Sequence, residues 1–113
     1  MSKAPGERQA WLMSMEIGKQ SFRAGRMGDA VNAFQQATKL LPGRVEGWVN
    51  LGSALLETGR HESAVAALGR ATDINPRLAA AHMLLGDAFR QLGDFKVALR
   101  SYRTAVALQR SPL

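Results

Sequence analysis

The chain repeats itself every 34 residues, and no other feature constrains its fold as tightly. Displaced by one period, Gly18, Gly52 and Gly86 fall in one column and Gly25, Gly59 and Gly93 in a second. Ala30, Ala64 and Ala98 form a third, and Ala37, Ala71 and Ala105 a fourth. Apolar columns run through Ile17, Leu51, Leu85; Val31, Val65, Leu99; Phe34, Leu68, Tyr102; and Leu40, Ile74, Leu108. Pro42 and Pro76 match, while the third copy has Arg110 in their place. No gap is needed, so the copies are 11–44, 45–78 and 79–112. Residues 1–10 form a lead-in, expected to be partly disordered or to extend the first helix.

Each copy reads as two helices, because its apolar residues recur at three- and four-residue spacing, as in Val97, Leu99, Tyr102 and Val106. The first helices are predicted at about 7–24, 45–58 and 77–92, and the second at about 28–41, 61–73 and 94–109. Gly25, Gly59 and Gly93 lie between the halves, where a helix ends in a left-handed residue. Asn75-Pro76 offers a capping side chain and then a helix-starting proline, and Asp94 can cap the last helix. No segment alternates with period two, so strands are not expected.

Gly18, Gly52 and Gly86 stand inside the first helices, where glycine costs about 1 kcal/mol relative to alanine. Three matched positions point to close approach of two backbones. The alanine columns at 30/64/98 and 37/71/105 are the natural counterparts.

These columns resemble the tetratricopeptide repeat, whose pattern is Trp-x2-Leu-Gly-x2-Tyr, Ala-x3-Phe, Pro. The middle copy supplies Trp48, Leu51, Gly52, Leu55, Ala64, Leu68 and Pro76. The first supplies Ile17, Gly18, Ala30, Phe34, Ala37 and Pro42, with Ser14 in the Trp place. The third supplies Leu85, Gly86, Phe89, Ala98, Tyr102 and Ala105, with His82 in that place. The resemblance implies an all-α fold of three antiparallel helical hairpins, stacked as a short right-handed solenoid whose first helices line a concave face.

The resemblance also implies where a partner would bind. Copy one offers Leu12, Met15, Lys19, Phe22 and Arg23. Copy two offers Glu46, Val49, Asn50, Ser53, Leu56 and Glu57, and copy three Ala80, Met83, Leu84, Asp87, Arg90 and Gln91. Met15, Val49 and Met83 are equivalent and are expected to form a shallow apolar strip, widened by Phe22 and Leu56. Lys19, Arg23 and Arg90 are expected to flank it with positive charge, and Asn50 to hydrogen-bond an extended backbone. The expected partner is therefore a protein or peptide with apolar anchors and some acidic residues. Family members that grip a chaperone's C-terminal carboxylate use Lys, Asn, Asn, Lys and Arg. The matching residues here are Met15, Lys19, Asn50, Ala80 and Leu84, of which Asn50 alone agrees. The asparagine ladder of the O-linked N-acetylglucosamine transferases has one rung, Asn50, between Glu16 and Leu84.

Other function classes find little support. Cysteine is absent, which excludes thiolate nucleophiles, disulfides and Cys-ligated metal. Neither HExxH nor a phosphate-binding glycine loop occurs. His61 reads as a solvated helix-start residue and His82 as a half-buried packing residue. No catalytic, metal or cofactor-binding residue is expected. The net charge is +6, with copies one and three at +3 each and copy two at −1. Arginines without interleaved aromatics do not make a base-stacking surface, so nucleic acid is not the expected partner. The first eight residues lack the apolar stretch of a secretory signal, and no run approaches the ~20 residues that span a bilayer. A cytoplasmic, non-catalytic interaction module is the expected function. The alternative is a substrate-holding region of a larger enzyme, such as a glycosyl- or sulfotransferase.

The last copy raises a separate expectation. Each second helix of a repeat array turns an apolar side to the next repeat. Leu99, Tyr102 and Val106 have no following repeat in this sequence. Arg100 and Arg103 can solvate that edge; otherwise a capping helix follows or two copies meet there as a homodimer.

Overall fold

In a computed structural model, which describes residues 4–110, the chain folds into six consecutive helices. They are α1 (Ala4–Arg23), α2 (Met27–Leu40), α3 (Val45–Glu57), α4 (His61–Ile74), α5 (Ala79–Gln91) and α6 (Phe95–Arg110). No strand occurs among the described residues. α1 takes in residues 4–10 of the lead-in. The rest of the lead-in and residues 111–113 lie outside the described residues.

Each helix packs chiefly on its neighbours in sequence: α1 on α2, α3 on α4 and α5 on α6 within hairpins, α2 on α3 and α4 on α5 between them. The result is elongated, with extents of 46 × 33 × 20 Å. Three identical turns set the hairpins. Gly25, Gly59 and Gly93 have φ of 81°, 77° and 83°, the left-handed region that glycine enters without steric cost. In each, the next residue's N–H donates five residues back: Arg26 to the carbonyl of Ser21, Arg60 to that of Leu55, Asp94 to that of Phe89. This Schellman arrangement satisfies carbonyls that the helix end leaves free.

The turns between hairpins are held differently. Trp48 Nε1 donates to the carbonyl of Pro42 at 2.8 Å. His82 Nε2 lies 2.8 Å from the carbonyl of Pro76, six residues before it, as Pro42 is before Trp48. A carbonyl only accepts, so Nε2 carries the proton. The histidine in the tryptophan column thus does the tryptophan's polar work, and it is half-buried. Asn75 does not cap α5. It ends α4, its Oδ1 accepts from the N–H of Arg77, and α5 starts only at Ala79, because residues 75–78 form a turn of their own. Asp94 Oδ1 receives the N–H of Val97 at 3.5 Å, a long capping bond.

The glycine column marks close approach, but the counterpart is not alanine. A Cβ on Gly18 would stand 2.4 Å from the Phe34 ring, one on Gly52 2.5 Å from Leu68, and one on Gly86 2.5 Å from the Tyr102 ring. The bulky column of the second helix lies flat on the bare backbone of the first. The alanines at 30, 64, 37, 71 and 105 are fully buried, and Ala98 nearly so, without being those partners. Ile17 also departs from its column. Leu51 and Leu85 are buried, whereas Ile17, on the first helix of the stack, is 53% exposed.

Candidate functional site

α1, α3 and α5 line one face of the stack, and two openings follow one another along it. The first, about 230 Å³, lies between α1 and α3 and is bounded by Lys19, Phe22, Arg23, Phe34, Asn50 and Ser53. The second, about 380 Å³, lies between α3 and α5, where Leu56 and Leu84 meet Glu57, His61, Asp87 and Arg90. Ser53 borders both, so the face is one groove. Positions 19, 23, 53, 57, 87 and 91 fall on it because residues three and four apart share a helix face.

Polarity changes along the groove. Lys19 forms no ion pair or side-chain hydrogen bond among the described residues, and it is exposed. Arg23 reaches Glu16 at 3.8 Å, a surface pair of long side chains worth little. Asn50 and Ser53 have no side-chain partner either, which leaves their donors and acceptors to a ligand or water. At the other end Asp87 and Arg90 are already matched, whereas Glu57 is exposed and in no ion pair among the described residues. Tyr102 donates to Asp87 Oδ1, Arg90 Nε donates to the Tyr102 hydroxyl at 3.3 Å, and Arg90 lies 3.9 Å from Asp87. Burial, then the bond to Asp87, hold the Tyr102 phenol above its ordinary pKa, against the opposing pull of Arg90. The bond to Tyr102 is in turn the main cause that raises Arg90. Arg90 is therefore not the free flanking cation expected from the sequence.

The other residues expected in the groove divide. Phe22, Leu56 and Asp87 border its openings and are half-buried. Val49 and Met83 are half-buried on the same helices but border neither opening. Met15 leaves the strip altogether. It is 3% exposed and fills the core beside Trp11, which precedes it by one turn on the same inward face. Two residues were missed. Phe34 floors the first opening because Gly18 lets its ring through, a signal present in the matched glycine and aromatic columns. His61 is half-buried rather than solvated, and its Nδ1 is buried without a partner. Among the described residues no cluster of His, Asp and Glu has metal-binding spacing, and no helix is long and apolar enough to cross a membrane.

Six helices in three hairpins, joined by one repeated turn and bearing a continuous groove, define a helical-repeat protein. A tetratricopeptide repeat model matches residues 21–88, more than half of the chain, and a second such model matches residues 79–112. The chain belongs to the tetratricopeptide repeat family. No curated protein matches it in sequence. Among solved structures it resembles the TPR domain of Arabidopsis OM64, with TM-score 0.89 at 23% identity over 94% of this chain and 88% of that one. The first TPR of Spaghetti, solved with the HSP90 peptide SRMEEVD, gives 0.88 at 20% identity, over 93% and 83% of the two chains. MamA gives 0.85 at 24% identity over 88% of this chain; the match spans 58% of MamA's length.

Proposed function

We propose that this chain is a non-catalytic interaction module and that the groove on α1, α3 and α5 holds a peptide or helix of a partner protein. The observation that carries the proposal is the first opening. It combines an unpaired cation (Lys19), an apolar wall (Phe22, Phe34) and two unpartnered polar side chains (Asn50, Ser53). Those groups suit a segment with an apolar anchor, an acidic side chain and an extended backbone for Asn50 to bond. Peptide capture by the related Spaghetti domain supports the reading. Leu56 and Leu84 continue the apolar surface toward α5.

The test is selection from a random-peptide display library, followed by anisotropy titration of the winning labelled peptide. Lys19→Glu and Leu56→Glu are each expected to weaken it by about tenfold or more, with unchanged helicity. Peptides that bind both variants as well as the parent would place the site elsewhere.

A further inference from the structure

α6 carries the third copy of a face that the first two copies cover. α3 packs on α2 and α5 on α4; Val31 and Thr38 of α2 are buried, and Val65 and Thr72 of α4 are half-buried. In the same register α6 has Leu99 and Val106, with Phe95 where α2 and α4 begin with Met27 and His61. Leucine replaces valine, valine replaces threonine and phenylalanine replaces a softer or polar residue, so the uncovered copy is the most apolar of the three. Yet Phe95 is 68% exposed, Leu99 50% and Val106 43%. A shallow depression of about 600 Å³ runs over Leu99, Tyr102 and Val106. A solenoid end built to face water becomes more polar than its interior copies. At the other end the substitutions run the opposite way, with Ser14 and Ser21 on α1 where α3 has Trp48 and Leu55, although Ile17 there is 53% exposed.

Charge selects what covers the face. Lys96, Arg103 and Arg110 recur every seven residues along one flank of the apolar stripe, and Arg103 and Arg110 border the depression. α6 contains no acidic residue, and none of these cations is in an ion pair among the described residues. We infer that this face is a docking site for an acidic amphipathic helix of a partner protein.

The interior copies show the pattern such a helix must carry. Gly47 of α3 meets Thr38, whose Cγ2 lies 3.3 Å from where a Cβ on residue 47 would stand, and α5 has Ala81 at that place. Leu51 and Leu55 follow four and eight residues on, as Leu85 and Phe89 follow Ala81. The docking helix therefore needs a small residue against Val106, large apolar residues one and two turns later, and glutamates on the flank that meets the cation row. A second copy of this chain fits poorly in both arrangements. Head to tail, its α1 brings Met13 to the small position and Ser21 to a large one. In an antiparallel two-fold pair of α6 helices, the cation row meets itself.

The experiment titrates this chain into a fluorescein-labelled helical peptide of about 20 residues, long enough to hold a helix in water. The peptide carries Ala-x3-Leu-x3-Leu and a glutamate flank. Saturable binding is expected, weakened about tenfold or more by Leu99→Asp, by Arg103→Glu or by methionine at the peptide's alanine. Added salt should weaken it further, and the groove variant Leu56→Glu should leave it unchanged, which separates this site from the groove. Equal affinity for the alanine and methionine peptides, or binding undiminished by Leu99→Asp in a variant of unchanged circular dichroism, overturns the inference. So does concentration-dependent dimerisation that Leu99→Asp abolishes and the peptide does not compete with, since the face then belongs to a second copy.

Discussion

Replacing Gly52 with alanine sets two forces of known sign against each other. Intrinsic helix propensity alone makes the change stabilising by about 1 kcal/mol. Packing opposes it. The new Cβ would stand 2.5 Å from Leu68 Cγ, 2.6 Å from Cδ2 and 3.2 Å from Cδ1. Carbon atoms rest about 3.5–4.0 Å apart, so Leu68 must retreat by about 1 Å. It has nowhere to go, being fully buried between α3 and the rest of the core. Forcing a methyl into such a place costs about 1–3 kcal/mol, so a net loss of about 1 kcal/mol is expected. Gly52→Leu should be worse. Gly69 is the control: it lies within α4, and a Cβ there meets nothing within 4 Å, so Gly69→Ala should stabilise by about 0.5–1 kcal/mol. The decisive measurement is a double-mutant cycle by urea denaturation. Leu68→Ala alone costs about 2–5 kcal/mol. It also vacates the space, so in that background Gly52→Ala should change sign and stabilise. A Gly52→Ala variant more stable than the parent, or one with the same effect in both backgrounds, refutes the packing account.

Further outcomes follow from single residues. Tyr102 is the sole tyrosine, so absorbance near 295 nm follows its phenol alone; the midpoint is expected above the ordinary value near 10, and Asp87→Asn should lower it by removing the bond to the carboxylate. Because that pKa is raised in the folded state, its stabilisation is complete below pH ~10 and lost as pH rises through the folded value, so alkaline urea curves of the parent and Tyr102→Phe should converge. Gly59→Ala forces a Cβ into a left-handed turn and should cost about 1–2 kcal/mol by thermal melting, although it meets no neighbour. Trp48→Phe keeps an aromatic ring but removes the bond to Pro42, and should cost about 1 kcal/mol; a smaller loss in Trp48→His, which can remake that bond as His82 does, would support the equivalence of the two side chains.

The period made the architecture legible, because each feature it displayed is one that backbone geometry enforces. Glycine enters the left-handed turn at 25, 59 and 93 without steric cost, and at 18, 52 and 86 a Cβ would collide with the ring or leucine that lies there. What the columns could not show is how a residue is used once neighbours differ. Met15, Val49 and Met83 share a column, yet Met15 turns into the core with Trp11 while the other two stay half-buried. Ile17 shares a column with Leu51, yet it is exposed on the first helix of the stack while Leu51 is buried. Arg90 reads as a free cation until the fold brings Tyr102, twelve residues on, within reach of both it and Asp87. Each of these departures depends on packing across helices, which a register along one helix does not contain.

A repeat that stacks copies of one hairpin must solve much the same packing problem in each copy, so columns such as Ala30/Ala64/Ala98 and Ala37/Ala71/Ala105 keep their size, while Ser21/Leu55/Phe89 changes where the neighbours differ. Columns that face solvent are free of that constraint, and there the three copies diverge. Along the groove, Lys19, Ser53 and Asp87 occupy one register, passing from positive through neutral to negative, and Arg23, Glu57 and Gln91 occupy another. At the first position of the second helices, Met27, His61 and Phe95 diverge as widely. Helix stacking places these side chains at regular intervals whatever their chemistry. The scaffold therefore fixes spacing, the divergent columns fix what each interval presents, and a ligand matched to the proposed groove would carry its negative charge at the α1 end, toward Lys19 and Arg23. Asp87 at the far end is already answered by Arg90 and Tyr102, so that half presents Leu56 and Leu84 beside Glu57, which is in no ion pair among the described residues.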